Sequence, residues 1–197
     1  KYLRDYQKDI LLNRADKISD TELEEVLNMS ARIEKIAIKD VKLRTFITQD
    51  ADRQDMVAHV YDTTYGLINK GADNLVVLDD SIVRGTTLKQ SILKILDRLG
   101  PKRIIVVSSA PQIRYPDCYG IDMSRMGEFV AFEAAISLLR ETGREDIIDR
   151  VYQNCIESEK LGNMQTENFV QEIYSQFTDQ EISDRIAKII TPKEIKT

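Results

Sequence analysis

Leu75-Val76-Val77-Leu78-Asp79-Asp80-Ser81-Ile82-Val83-Arg84-Gly85-Thr86-Thr87 is the stretch on which the reading of this chain turns. Four consecutive apolar residues run into two carboxylates, and a short loop around Gly85 follows. Leu88, Ile92, Ile95, Leu96 and Leu99 then recur at helical spacing until Gly100-Pro101 stops them. A continuous apolar run such as Leu75 to Leu78 is expected of a strand buried on both faces of a parallel sheet. Ile104 to Val107 is a second such run, so the segment reads as a βαβ unit with a right-handed crossover.

Ligands of open α/β sheets bind beyond the carboxyl ends of the strands, which is where Asp79 and Asp80 fall. Two adjacent carboxylates call for a cationic or hydroxyl-bearing partner. The vicinal hydroxyls of a ribose suit them, and so does a hydrated Mg²⁺ bridging to a sugar phosphate. Gly85, Thr86 and Thr87 open the helix, where N–H groups and the positive dipole end favour a phosphate. Gly85 allows close backbone approach, and Ser81, Thr86 and Thr87 add hydroxyl donors. The loop is neither a Walker A loop nor a dinucleotide fingerprint, since the required glycine and lysine spacings are absent. The plainer alternative is that the acid pair merely ends a strand and Thr86 caps a helix.

Outward from this unit, residues 2–14 read as an amphipathic helix. Ser19 and Glu22 form a capping box that opens a second helix expected to reach about Ile33. Lys35 to Val41 alternates as a strand does, with Arg44-Thr45-Phe46-Ile47 extending it, and Asn69 to Asp73 reads as a turn. Beyond Pro111 and Pro116, helices are expected at Phe129–Leu139, at Ile147–Ile156 and around Ile173. A last one is opened by a second capping box, Thr178 and Glu181. The helices past Gly143 could also serve as an oligomer interface. The expected organisation is a helical N-terminal segment over 1–34, an α/β core over 35–143 and a helical C-terminal extension over 144–197.

With 197 residues, 42% hydrophobic and 31% charged, the chain has the composition of one ordinary globular domain. A net charge of −5 and a pI near 5.1 argue against generic nucleic-acid or anionic-membrane binding. Cys118 and Cys155 are too few for a disulfide framework or a Cys-rich metal site. No run is long enough to span a bilayer and no signal-peptide pattern opens the chain, so a cytoplasmic protein is expected. Because Lys1 is not a methionine, an excised piece of a longer protein is expected too.

The stretch Val77 to Thr87 closely resembles the phosphoribosyl-pyrophosphate (PRPP) signature of the type I phosphoribosyltransferases, and more narrowly that of the glutamine amidophosphoribosyltransferases. Ser109-Ala110-Pro111, Arg114-Tyr115-Pro116 and Tyr119-Gly120-Ile121-Asp122-Met123 are similar to that family's segment after the next strand. Arg44 to Ile47 resembles the start of its flexible catalytic loop, so the likeness covers about residues 36–140. The resemblance implies a type I phosphoribosyltransferase sheet, with Asp79 and Asp80 holding the ribose hydroxyls and Mg²⁺. Ser81, Arg84, Gly85, Thr86 and Thr87 would cradle the 5-phosphate, and Arg44 would cover the pyrophosphate as the catalytic residue. The implied reaction transfers ammonia to C1 of PRPP and releases pyrophosphate, in purine nucleotide synthesis. Nucleoside monophosphates are further implied ligands, and an upstream glutaminase domain is the implied partner.

Three departures accompany the resemblance. The family's cysteine-initiated glutaminase domain has no counterpart in this sequence. Its pyrophosphate-binding loop has no match in residues 1–35, so an incomplete site is expected. Thr48 to Asp62 carries Asp50, Asp52, Asp55 and Asp62 against Arg53 alone, where the family's loop is rich in Lys and Arg. That acidity favours an alternative, a non-catalytic module that senses PRPP or nucleotides. Some family members hold an iron–sulfur cluster, but Cys118 near one ligand position lacks the rest of a four-cysteine set. His59, the sole histidine, is read as a surface or packing residue.

Overall fold

The computed structural model of the protein describes residues 2–14, 18–34, 37–39, 61–63, 66–117, 123–162, 167–193 and 195. They fall into two compact units, Lys1–Ile36 and Ala37–Thr197.

The first unit holds helices α1 (Tyr2–Arg14) and α2 (Asp20–Leu27). The capping box forms as its spacing predicts: Glu22 N–H donates to the Ser19 hydroxyl at 3.3 Å, and Ser19 N–H donates to the Glu22 carboxylate at 3.0 Å. Gln7 on α1 donates its side-chain amide to the Val26 carbonyl at 2.8 Å, tying the helices together. The second helix does not reach Ile33. Asn28, a poor helix former, closes it through its N–H to the Glu24 carbonyl, and Ile33 is left 87% exposed.

In the second unit, β1 (Ala37–Lys39) pairs antiparallel with β2 (Tyr61–Thr63), in register Ala37 to Thr63. β2 has no sequence signal of its own, because Tyr-Asp-Thr lacks the alternation of a half-buried strand. The organising stretch forms β3 (Asn74–Asp79), parallel to β4 (Arg103–Ser108), with Leu75 opposite Ile104 and Asp79 opposite Ser108. The Asn69–Asp73 turn leads into β3, with Asn69 N–H donating to the Asp73 carboxylate at 2.9 Å. Between the strands, a π-type turn over Leu88–Ile92 runs into α3 (Leu93–Arg98). Leu93 N–H reaches the Leu88 carbonyl five residues back, and Gly100 ends the helix at φ 72°.

Burial of β3 and β4 departs from expectation. Leu75, Val77, Ile104 and Val106 are half-buried on one face, and the last two pack against the core. On the other face Val76 is 54% and Leu78 80% exposed, with Ile105 and Val107 beside them. A two-stranded sheet with its core on one side is wetted on the other, whereas a strand buried on both faces needs two covering layers.

The core is helical. It is built by α4 (Val130–Glu141), α5 (Glu145–Lys160), α6 (Gln171–Ser175) and α7 (Asp179–Ile190). Phe129, Ala134, Ala135, Leu139 and Ile182 have no exposed surface. Ala131, Ala134, Ala135 and Leu139 on α4 and Ile182, Ile186 and Ile190 on α7 recur at helical spacing, so one stripe of α4 meets one stripe of α7. The Thr178–Glu181 capping box opens α7, with Thr178 N–H donating to Glu181 at 2.7 Å. Arg185 pairs with Glu141 across the two helices. Packing therefore runs continuously across residue 143, although the sequence changes character there. None of the described helices is long and apolar enough to cross a membrane.

Candidate functional site

β3 carries Asp79 and Asp80 to the carboxyl end of the parallel pair, as the apolar run predicts. Asp79 is half-buried and Asp80 exposed. Each carboxylate turns back on the chain: Asp80 N–H donates to Asp79 Oδ1 at 3.0 Å, and Ser81 N–H to Asp80 Oδ1 at 2.7 Å. The end of β4 secures both backbones. Ser109 N–H donates to the Asp79 carbonyl and Ala110 N–H to the Asp80 carbonyl, each at 2.9 Å, while the Ser109 hydroxyl reaches the Asp80 carbonyl at 3.1 Å. The two motifs singled out in the sequence thus meet at one edge of the sheet. Partial burial, with the neighbouring Asp80 charge adding to it, raises the Asp79 carboxyl above its ordinary range against the lowering effect of the Asp80 N–H.

The loop beyond the pair is held by α4. Val130 N–H donates to the Val83 carbonyl at 2.9 Å, and Arg84 pairs with Glu128 at 2.6 Å. Gly85 adopts φ 67°, the left-handed region that a side chain disfavours. Its carbonyl accepts from Lys89 N–H at 2.9 Å, which starts the helix. Thr86 and Thr87 are exposed, and the Thr87 side chain makes no capping hydrogen bond. The helix opens at the Gly85 carbonyl, and Thr86, the cap of the plainer alternative, already lies in its first turn, with both threonines on the surface of the helix opening.

The Glu128 contact was not foreseen, because an ion pair spanning so much sequence leaves no local pattern. Arg44, His59, Cys118 and Tyr119 to Asp122 lie outside the described residues, as does the acidic stretch up to Val60. Cys155 is a half-buried thiol on α5. A cavity of 1110 Å³ opens between β4 and α7, lined by Ile104, Val106, Gln112, Arg114, Ile186 and Ile190 among others. Asp79 and Asp80 do not line it, but Ile82, Ser108 and Ala110 beside them do, so the cavity borders the strand end.

Among the described residues, no group of three His, Cys, Asp or Glu side chains is placed to hold a metal ion. Asp79 and Asp80 fit Mg²⁺ in another way, since that ion is commonly held by one or two carboxylates together with substrate oxygens and water. The pair suits an ion that arrives with its ligand and does not form a closed cage.

No family model matches the chain. Part of it is similar to amidophosphoribosyltransferases. The enzyme of Escherichia coli (strain K12) is 34% identical over 97 residues, which is 49% of this chain and 19% of that protein. The enzyme of Pasteurella multocida (strain Pm70) is 49% identical over 59 residues, 30% of this chain and 12% of the enzyme. Among solved structures, the glutamine PRPP amidotransferase of B. subtilis complexed with ADP and GMP is 33% identical. It covers 56% of this chain and 24% of its own, at a TM-score of 0.41. That score is a loose superposition, and the likeness lies in the sequences. The chain spans about a fifth of the length of the curated relatives it matches.

Proposed function

We propose that this chain, about half of which is similar in sequence to amidophosphoribosyltransferases, carries the PRPP-binding part of such an enzyme. The observation that carries the reading is local. A parallel strand pair ends in Asp79-Asp80, locked by Ser109 and Ala110, and passes through the left-handed Gly85 turn into a helix. This is a surface for a sugar phosphate on a sheet of the type I phosphoribosyltransferase kind.

In this reading the Asp79 and Asp80 carboxylates accept from the two ribose hydroxyls, fixing the ring and aiming C1 away from the strand end. Ser81, Thr86 and Thr87 donate hydroxyl protons to the 5-phosphate, and the backbone at Gly85 approaches it closely. Arg84 adds charge from a position shared with Glu128. Asp79 and Asp80 would hold Mg²⁺, and the ion would supply neutralisation of the pyrophosphate charge. Ammonia, supplied by a glutaminase domain, would form the new bond at C1 as the bond to pyrophosphate breaks through an oxocarbenium-like state. The chain's own share is positioning and electrostatics. Arg44 is proposed to cover the pyrophosphate. The functional division follows the sequence character: core residues 35–143 bind substrate, flanked by the helical segments 1–34 and 144–197. Purine nucleotide synthesis, nucleoside monophosphates as further ligands and a cytoplasmic location belong to the same proposal.

Titration calorimetry of PRPP with Mg²⁺ tests it on the wild type, Asp79→Asn and Asp80→Asn. The expected result is saturable, Mg²⁺-dependent heat for the wild type and at least tenfold weaker binding, about 1.4 kcal/mol, for each variant. Equal heats for all three would remove the site assignment.

A further inference from the structure

Two loops border the acid pair, and α7 reaches both of them. The first is the Gly85 turn. A Cβ built on Gly85 would lie 2.6 Å from Cγ2 of Ile190, at the end of α7, and 3.8 Å from Cγ2 of Val130. Ile190 is 5% exposed, so its methyl group is wedged beneath the turn. The second is the loop that follows Ser109 and Ala110. Gln112 donates its side-chain amide to the Asp179 carbonyl and to the Ser183 hydroxyl, both at 2.7 Å. Arg114 pairs with the Asp179 carboxylate, and its guanidinium lies 5.2 Å from the Tyr174 ring centroid. Tyr174 on α6 donates its hydroxyl to the Arg114 carbonyl at 2.8 Å and meets Tyr115 edge-on. Since Ser109 and Ala110 hold the Asp79 and Asp80 backbones, α6 and α7 together reach the acid pair through the Arg114 loop, and α7 alone of the two reaches the phosphate-loop turn.

We infer that α6 and α7 are the positioning scaffold of the candidate site, with Ile190 setting the Gly85 turn and Asp179 setting the Arg114 loop. These are positioning residues, acting on a ligand only through the loops they hold. The physical basis is stiffness. Ile190 is β-branched, so its Cγ2 cannot swing aside without turning χ1 in a packed core. Asp179 offers a charged, two-point anchor at the first residue of α7. Loops carry binding groups with precision only where a rigid element fixes them. The helical extension therefore belongs to the site, although it contributes no group to it. The ligand half of this inference rests on the PRPP reading above; the scaffold half does not.

The test uses the full chain with Ile190→Ala, Ile190→Val and Asp179→Asn, read by amide hydrogen exchange without ligand and by calorimetric titration with PRPP and Mg²⁺. Ile190→Ala should speed exchange at residues 84–89 by about tenfold or more beyond any change in β3 and β4, as local opening does. PRPP should bind it about tenfold more weakly, and Ile190→Val, which keeps a methyl against Gly85, should restore both readouts to within about twofold. Asp179→Asn should speed exchange over 112–115 alone; its side chain is 86% exposed, so the core is untouched. Unchanged exchange at 84–89 in Ile190→Ala, or acceleration spread evenly over the second unit, would overturn the scaffold role. A wild type that does not bind PRPP would remove the functional reading, while the exchange results would still decide the scaffold. Binding by the wild type and equal binding by Ile190→Ala would retain the function and refute the positioning.

Discussion

Gly85→Ala places a methyl group at the tightest approach in the candidate site, and two independent penalties follow. The backbone at φ 67° is left-handed, which costs a residue with a Cβ roughly 1–2 kcal/mol. The new carbon would stand 2.6 Å from Cγ2 of Ile190, well inside van der Waals contact. Overpacking of this kind costs about 1–3 kcal/mol, because a β-branched neighbour in a buried setting yields only by shifting its helix. Together these predict a loss of about 2–5 kcal/mol, which for a chain of this size lowers the melting temperature by roughly 4–20 °C. Thermal unfolding followed by circular dichroism measures it. The two penalties separate in a cycle with Ile190→Ala. That change alone costs about 2–5 kcal/mol through the cavity it leaves, but it removes the clash. The double variant should be more stable than the sum of the singles predicts by about 1–3 kcal/mol, and the left-handed strain should persist. A single variant melting within a degree of wild type, or strict additivity in the cycle, would refute the close approach.

Asp79→Asn should raise the melting temperature at neutral pH. Burial raises the folded-state pKa of Asp79 above the unfolded value, so ionisation opposes folding, and stability falls as pH rises between the two values. The gain of Asn over Asp should therefore vanish when the comparison is made below the ordinary carboxylate range, and a gain that persists there would contradict the assignment. Thr178→Ala removes the cap of α7 and should cost about 1 kcal/mol, or roughly 2–4 °C in thermal melts. Glu181 is held below its ordinary range chiefly by the Thr178 N–H and next by the Thr178 hydroxyl; the hydroxyl's share, which alanine removes, is present above the unfolded pKa and lost as pH falls through the folded one. A cap effect that does not shrink on acidification would count against it. Glu128→Gln takes one carboxylate from Arg84 and should tighten binding of ribose 5-phosphate by up to about fivefold in calorimetry, the range of an exposed ion pair; weaker binding would mean that Glu128 orients Arg84 rather than competing for it.

The parts of the molecule that were legible in the sequence are those whose physics is local. Leu75 to Leu78 announced β3, Gly100-Pro101 the end of α3, and Ser19/Glu22 and Thr178/Glu181 the openings of α2 and α7, because caps and apolar periods act within a few residues. The acid pair at the strand end was legible for the same reason. What covers a strand is decided elsewhere in the chain, so the exposure of Val76 and Leu78 had no signature in their own run. β2 was missed because three residues are too few to show a period. The Arg84–Glu128 pair and the Gly85–Ile190 contact were invisible for the plainest reason, since each joins residues far apart in sequence through packing. Only Gly85 itself hinted at a close neighbour.

That last contact also has a bearing on how the protein is made. Gly85 leaves the ribosome long before Ile190, and at about 5–20 residues per second the gap is on the order of 5–20 s. β3, α3 and β4 can pair in that interval, since their contacts are local, and Val130 and Glu128 reach the loop beyond the acid pair next, but the Gly85 turn lacks its closest neighbour until α7 has been synthesised and has docked. Maturation of the candidate site is thereby timed to the synthesis of α7, and a nascent chain halted before that helix would display the acidic strand end without the Ile190 contact that closes the Gly85 turn.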